Sequence, residues 1–373
     1  MASTNKIEGL GTKEAHTNQT AHFLFNTTIT GEVWSILQGS VKKAEVRFKS
    51  ESPPTFTYDV SFTPTTRGPH QLSVKVDDVE VTQVFVHQSP CELTGRKPLQ
   101  VIDPAIQCRL GPGIAMGPWE RVYVCEVSRV GKVSVYTKSG EKIQTFGRKE
   151  GEALFGERVP HYLATDDEGN MYVTTDKDEL CKINREGRLI SSVKEWESPA
   201  GPGWLHEPQG VAVHDKQVYV CSKPHARGHA LIVFDTELRF LRSFGCLGDI
   251  EGRFGYEPGD VSLDAKGRIY VADCSNDRVQ VLDQYGQYLH HFGREGAEEG
   301  ELKRPRGVHV SGDYVYVSES GNDRISVFST SGQFITTFGK YGMGEEELKR
   351  PLGITTDRNG FVYFIANNHI QVF

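Results

Sequence analysis

A chain of 373 residues with a net charge of −7, 37% hydrophobic and 24% charged, is too long for one ordinary core and too rich in apolar residues for a disordered protein. The acidic balance excludes a general affinity for DNA or for anionic membrane; either would need a local basic patch. The opening MASTNKIEGL has no apolar signal region, and no run approaches the roughly 18 apolar residues of a membrane span. Seven cysteines lie scattered without a C-x-x-C pair or a zinc-ligand rhythm, so reduced thiols and a cytoplasmic location are expected.

Residues 1–90 come first and follow a plan of their own. AHFLF, AEVRF, TFTYDVSF, HQLSVKV and VTQVFV alternate apolar and polar residues over short spans between polar turns. That pattern predicts a small β-sandwich of roughly seven strands. Residues 91–98 then read as a short linker.

From residue 99 onward the chain repeats itself. The phrase ELKRP occurs at Glu301–Pro305 and again at Glu347–Pro351, each time followed by x-Gly-(Val/Ile). Weaker copies of the entry proline stand at Pro160, Pro208 and Pro258, at spacings of 48, 50, 47 and 46 residues through Pro351. Phe-Gly closes units at Phe146-Gly147, Phe244-Gly245, Phe292-Gly293 and Phe338-Gly339. Between these markers come an apolar strand, a D-x-x-G turn, a strand such as RIYVAD, an N-D-R loop, a strand such as VQVLD, another glycine turn and an outer strand. Four strands joined by tight turns are one blade of a β-propeller.

The last unit supplies three strands and stops at Phe373, while Ile106–Gly111 reads like the end of an outer strand with no unit of its own. An open blade edge would invite pairing with other chains. Residues 99–111 are therefore expected to provide the sixth blade's outer strand. Dividing residues 99–373 by six gives roughly 46 per blade, the spacing of the prolines. The expected fold is all-β: a sandwich followed by a six-bladed propeller over 99–373.

The run TYDVSFTPTTRGPHQLSVKV resembles the filamin-type immunoglobulin-like repeat, and the blade pattern resembles the NHL repeat, most strongly in blades four to six. Together they resemble the C-terminal part of the tripartite-motif NHL proteins. The resemblance implies a recruiting module of a ubiquitin ligase, whose RING and B-box zinc modules carry the chemistry. Neither those modules nor coiled-coil heptads occur in this sequence, so the chain is expected to be no enzyme and to need no cofactor or metal.

In a four-stranded meander, the blade-to-blade connectors share one face with the loops between strands two and three. The KRP segments and N-D-R loops should converge there. The five connectors hold 11 Lys/Arg against 16 Asp/Glu, which opposes phosphate binding and favours a protein partner over RNA, the second reading. Lys303, Arg304, Arg306, Lys349, Arg350, Arg294 and Lys340 form the expected partner-binding set, facing an acidic half that includes Glu207 and Glu257. Arg278 and Arg324 are expected to brace loops instead. Trp119, Trp196 and Trp204 are expected to pack between blades. A metal-dependent propeller hydrolase or lyase is the remote alternative; His161, His206 and His309 lie near blade entries without a ligand spacing that supports it.

Overall fold

The computed structural model divides into two compact units, one built chiefly of residues 1–93 and the other of residues 94–357 and 362–373. It describes 113–126, 131–147, 158–199, 201–224, 229–342 and 347–373 with side chains, together with the backbone of further strands and the side chain of Ile102. The expected linker, 91–98, lies outside the described residues, as do 103–111.

The N-terminal unit contains two four-stranded sheets. One orders Lys6–Glu8, Ala21–Thr27, Thr55–Pro64 and Val41–Ser52; the other orders Glu14–Ala15, Val79–Gln88, His70–Val76 and Val33–Gln38. The roughly seven strands expected are eight among the described residues. The shortest is the two-residue Glu14–Ala15, which pairs parallel with Val79–Gln88 and is too short to leave an alternation in the sequence.

The second unit is a propeller of six four-stranded antiparallel sheets. Five are contiguous: 114–146, 160–193, 211–244, 258–292 and 305–338. In the sixth, Ile354–Thr356, Val362–Ala366 and His369–Val372 are completed by Gln100–Ile102, in the register Ile370↔Ile102, Gln371↔Val101 and Val372↔Gln100. Ile102 is 1% exposed. The ring is thus sealed by a strand from the opposite end of the unit. Lys138 adds an ion pair at the same seam, reaching Asp357 at 2.6 Å, and the Met116 amide donates to Thr355 Oγ1 at 3.3 Å.

Periodicity explains the burial. The second and third strands, such as Ile269–Asp273 and Arg278–Leu282, are buried throughout because neighbouring blades cover both faces. Outer strands such as Tyr288–Phe292 alternate, with one face to solvent. The closing phenylalanine lies between blades: a Cβ at Gly286 in blade four would fall 2.3 Å from the Phe244 ring of blade three. Glycine in the Pro-x-Gly entry has a related cause. A Cβ on Gly307 would lie 2.4 Å from the Leu352 carbonyl oxygen, so the inner strands of blades five and six approach this closely only without a side chain there.

Candidate functional site

The ELKRP phrase can be read residue by residue. Leu302 and Leu348 are fully buried and anchor the connector. The preceding glutamates pair within the same loop, Glu301 with Arg294 at 3.1 Å and Glu347 with Lys340 at 3.7 Å. Lys303 and Lys349 are exposed. Arg304 and Arg350 adopt left-handed backbone, φ 48° and 50°, and their amides donate to Asp277 and Asp323 of the preceding blade's N-D-R loop at 2.6 and 2.7 Å. Buried Pro305 then starts the inner strand of blade five, and buried Pro351 stands three residues before the blade-six inner strand, Ile354–Thr356.

The N-D-R loop supplies the other half of this joint. Its asparagine donates to a connector carbonyl: Asn276 to Gly248 at 3.0 Å, Asn322 to Gly296 at 2.8 Å. Its aspartate receives the amide just described. Its arginine braces the connector: Arg324 binds Glu319 at 2.8 Å and donates to the carbonyls of Ala297, Glu298 and Glu301 at 2.6, 3.2 and 2.8 Å. Arg278 does the same through Asp273, Ile250 and Arg253. Asp273 and Glu319 are wholly buried, which fixes both guanidinium groups in place. Connectors and N-D-R loops therefore meet on one face as rigid, mutually bonded loops.

On that face the expected cations are largely engaged. Glu257 receives Arg304 at 3.4 Å and Arg306 at 3.2 Å, with Lys223 at 3.7 Å. Lys223 also holds Glu207 at 2.6 Å and caps the Tyr256 ring at 5.3 Å. The basic and acidic halves thus interlock across blades three to five. Lys303, Lys349 and Arg350 stand exposed on the blade-five and blade-six entries. Lys223 was not among the expected residues because it lies in KPHARGHAL, where the N-D-R pattern is missing.

Apolar groups share the face. Leu247, Ile250, Tyr256 and Tyr341, all on connectors, are exposed, as is Trp204 on the hairpin of Glu195–Ser198 with Gly201–Trp204. This corrects the expectation of interblade packing for Trp204. Trp119 is exposed as well. It sits in a tight turn at φ 59°, close above Gly169 of blade two, with the Arg121 guanidinium 5.7 Å from its ring. Trp119 thus touches the neighbouring blade with much of its ring left exposed, whereas Trp196 is packed, stacked on Phe240 at 5.1 Å and edge-on to Phe234 at 5.5 Å.

Of the histidines, His309 is half-buried on the propeller axis, and desolvation alone pulls its imidazole down to about 4. Burial also lowers His161, against the opposing pull of Asp176 and Glu207. Among the described residues no three His, Cys, Asp or Glu side chains converge as a metal site. Also among the described residues, no helix is long and apolar enough to cross a membrane.

Comparison with known proteins assigns both units. The filamin/ABP280 repeat model matches residues 1–86, and the NHL repeat model matches residues 256–282, within blade four. The chain therefore has a filamin repeat followed by an NHL-type propeller, a tripartite-motif-NHL-like architecture. Protein brain tumor of Drosophila melanogaster is 39% identical over 75 residues, covering 19% of this chain and 7% of that protein. The match thus spans a small part of that relative. Among solved structures, a Bacteroides thetaiotaomicron protein of unknown function superposes with a TM-score of 0.58 at 13% identity, covering 100% of this chain and 98% of the other. A streptogramin B lyase gives 0.50 at 12% identity over 73% and 96%. At these identities the likeness is one of fold alone.

Proposed function

We propose that this chain is a non-catalytic scaffold that docks a protein partner on the connector face of its propeller, as the recruiting half of a ubiquitin ligase would. One observation carries the reading: Trp204, Leu247, Ile250, Tyr256 and Tyr341 are exposed among charges already paired with one another. Exposed aromatic and aliphatic side chains with arginines at their margin are the composition of a protein interface core and rim. RNA binding asks for the opposite, cations free to replace the counterions of phosphates. In this reading Arg294, Lys303, Arg304, Arg306, Lys340, Lys349 and Arg350 form the charged rim and fix the partner's orientation. The filamin repeat over 1–90 presents the propeller over 99–373, with 91–98 between them. Among the described residues, Cys181, Cys221 and Cys274 are buried and form no disulfide, which supports a cytoplasmic setting.

Affinity capture from a cell lysate, with and without ribonuclease, tests the proposal. Ile250→Asp combined with Tyr256→Ala should reduce recovery of the captured protein at least about tenfold, the loss expected from an anchor pair. Ribonuclease should leave recovery unchanged. Release of every partner by ribonuclease, with RNA affinity falling steeply as salt rises, would establish the RNA reading instead.

A further inference from the structure

The third residue of the blade entry is glycine in four blades, Gly113, Gly210, Gly307 and Gly353, but Tyr162 in blade two and Asp260 in blade four. The two departures lie on either side of blade three. A Cβ on Gly210 would fall 2.4 Å from Asp260 Oδ1, so the aspartate occupies the room that this glycine leaves. The Tyr162 side chain is 3% exposed, and its hydroxyl is buried without a hydrogen-bond partner among the described residues. That hydroxyl stands within electrostatic range of Asp260 and Arg306.

Both side chains line a cavity of about 200 Å³ on the propeller axis, to which the inner strands of all six blades contribute. Its exposed lining is more polar than apolar: Ser262, His309 and Thr355 share it with Ile114, Val211 and Val308. Asp260 accepts from the amides of Val261, at 2.9 Å, and Val308, and no lysine or arginine among the described residues forms an ion pair with it. Burial pushes its carboxyl up to about 7. The nearby Arg306 guanidinium is held by Glu257, and His309 is kept neutral by desolvation. A buried acid without a cation and an orphaned hydroxyl, both at one polar channel, are groups that a positive charge would satisfy.

We propose that the axial channel binds a short alkylammonium group, with the ammonium on Asp260 and the Tyr162 oxygen and its stem beside Ile114, Val211 and Val308. A free small amine and the lysine side chain of a polypeptide share this chemistry. The site belongs to the axis and holds for the propeller whatever covers its connectors.

Thermal unfolding of the full chain at constant ionic strength tests it. The probes are n-butylammonium chloride and a short glycine–serine peptide carrying one lysine, each compared with sodium chloride. At about ten times its dissociation constant, a bound probe should raise the propeller's Tm by about 2–3 °C. A shift with the amine alone identifies a small-molecule site, and a shift with the peptide a lysine receptor. Asp260→Asn should abolish the shift. Tyr162→Phe, which keeps the ring and its packing, should weaken binding at least threefold. The proposal fails if neither probe moves Tm beyond sodium chloride, or if the shift survives intact in both variants.

Discussion

Arg324→Ala should lower propeller stability by about 3–5 kcal/mol, the cost of leaving a buried carboxylate without its cation. Glu319 is wholly enclosed and depends on Arg324, Asn322, Ser326 and the Lys303 amide. The same guanidinium satisfies three carbonyls of the connector spanning 294–304, so its removal also loosens the entry to blade five. Arg324→Lys should recover little, because one ammonium cannot replace a planar fork that spans a carboxylate and three carbonyls. Arg304→Ala provides the contrast. Its side chain is 57% exposed and its contact with Glu257 is at the surface, so the change should cost less than about 1 kcal/mol. Urea unfolding of the three variants separates the roles. Equal losses for Arg324→Ala and Arg304→Ala would mean that the N-D-R arginine is not the brace described.

Ile102→Asp should be comparably damaging for a different reason. The residue is 1% exposed in the strand that completes the sixth sheet, so the substitution buries an unpaired carboxylate and removes an isoleucine from the core. A loss of about 4 kcal/mol, or roughly 7–10 °C in Tm, is expected. The damage should extend beyond blade six, since blades one and six meet at Lys138–Asp357 and at Met116–Thr355. A variant that unfolds at the wild-type temperature would show that the ring does not depend on this strand.

The six-bladed ring was legible because each repeated residue answers a local demand. Leucine anchors the connector, arginine takes up left-handed backbone to reach the aspartate of N-D-R, and proline opens the inner strand. Such demands recur once per blade and so leave a period in the sequence. The bracing role of Arg278 and Arg324 was readable for the same reason. The state of the connector charges was not, because Arg304 and Arg306 meet Glu257 across 47 and 49 residues. A count of charges records their sum but not which of them touch. Trp204 was misplaced because a hairpin tryptophan carries no periodicity to say whether it faces a neighbouring blade or water. Tyr162 and Asp260 left a signal, two departures from glycine at one position of the aligned units. Their convergence on the axis appears only when the ring is closed.

The placement of connectors and N-D-R loops on one face depends on that closure. Amide hydrogen exchange of the full chain, resolved at Gln100–Ile102 and at His369–Val372, tests it most directly. Matching slow exchange in the two segments is the outcome expected of paired strands in one sheet. Exchange at Gln100–Ile102 as fast as in an unstructured peptide, beside a protected blade six, would contradict the closed ring.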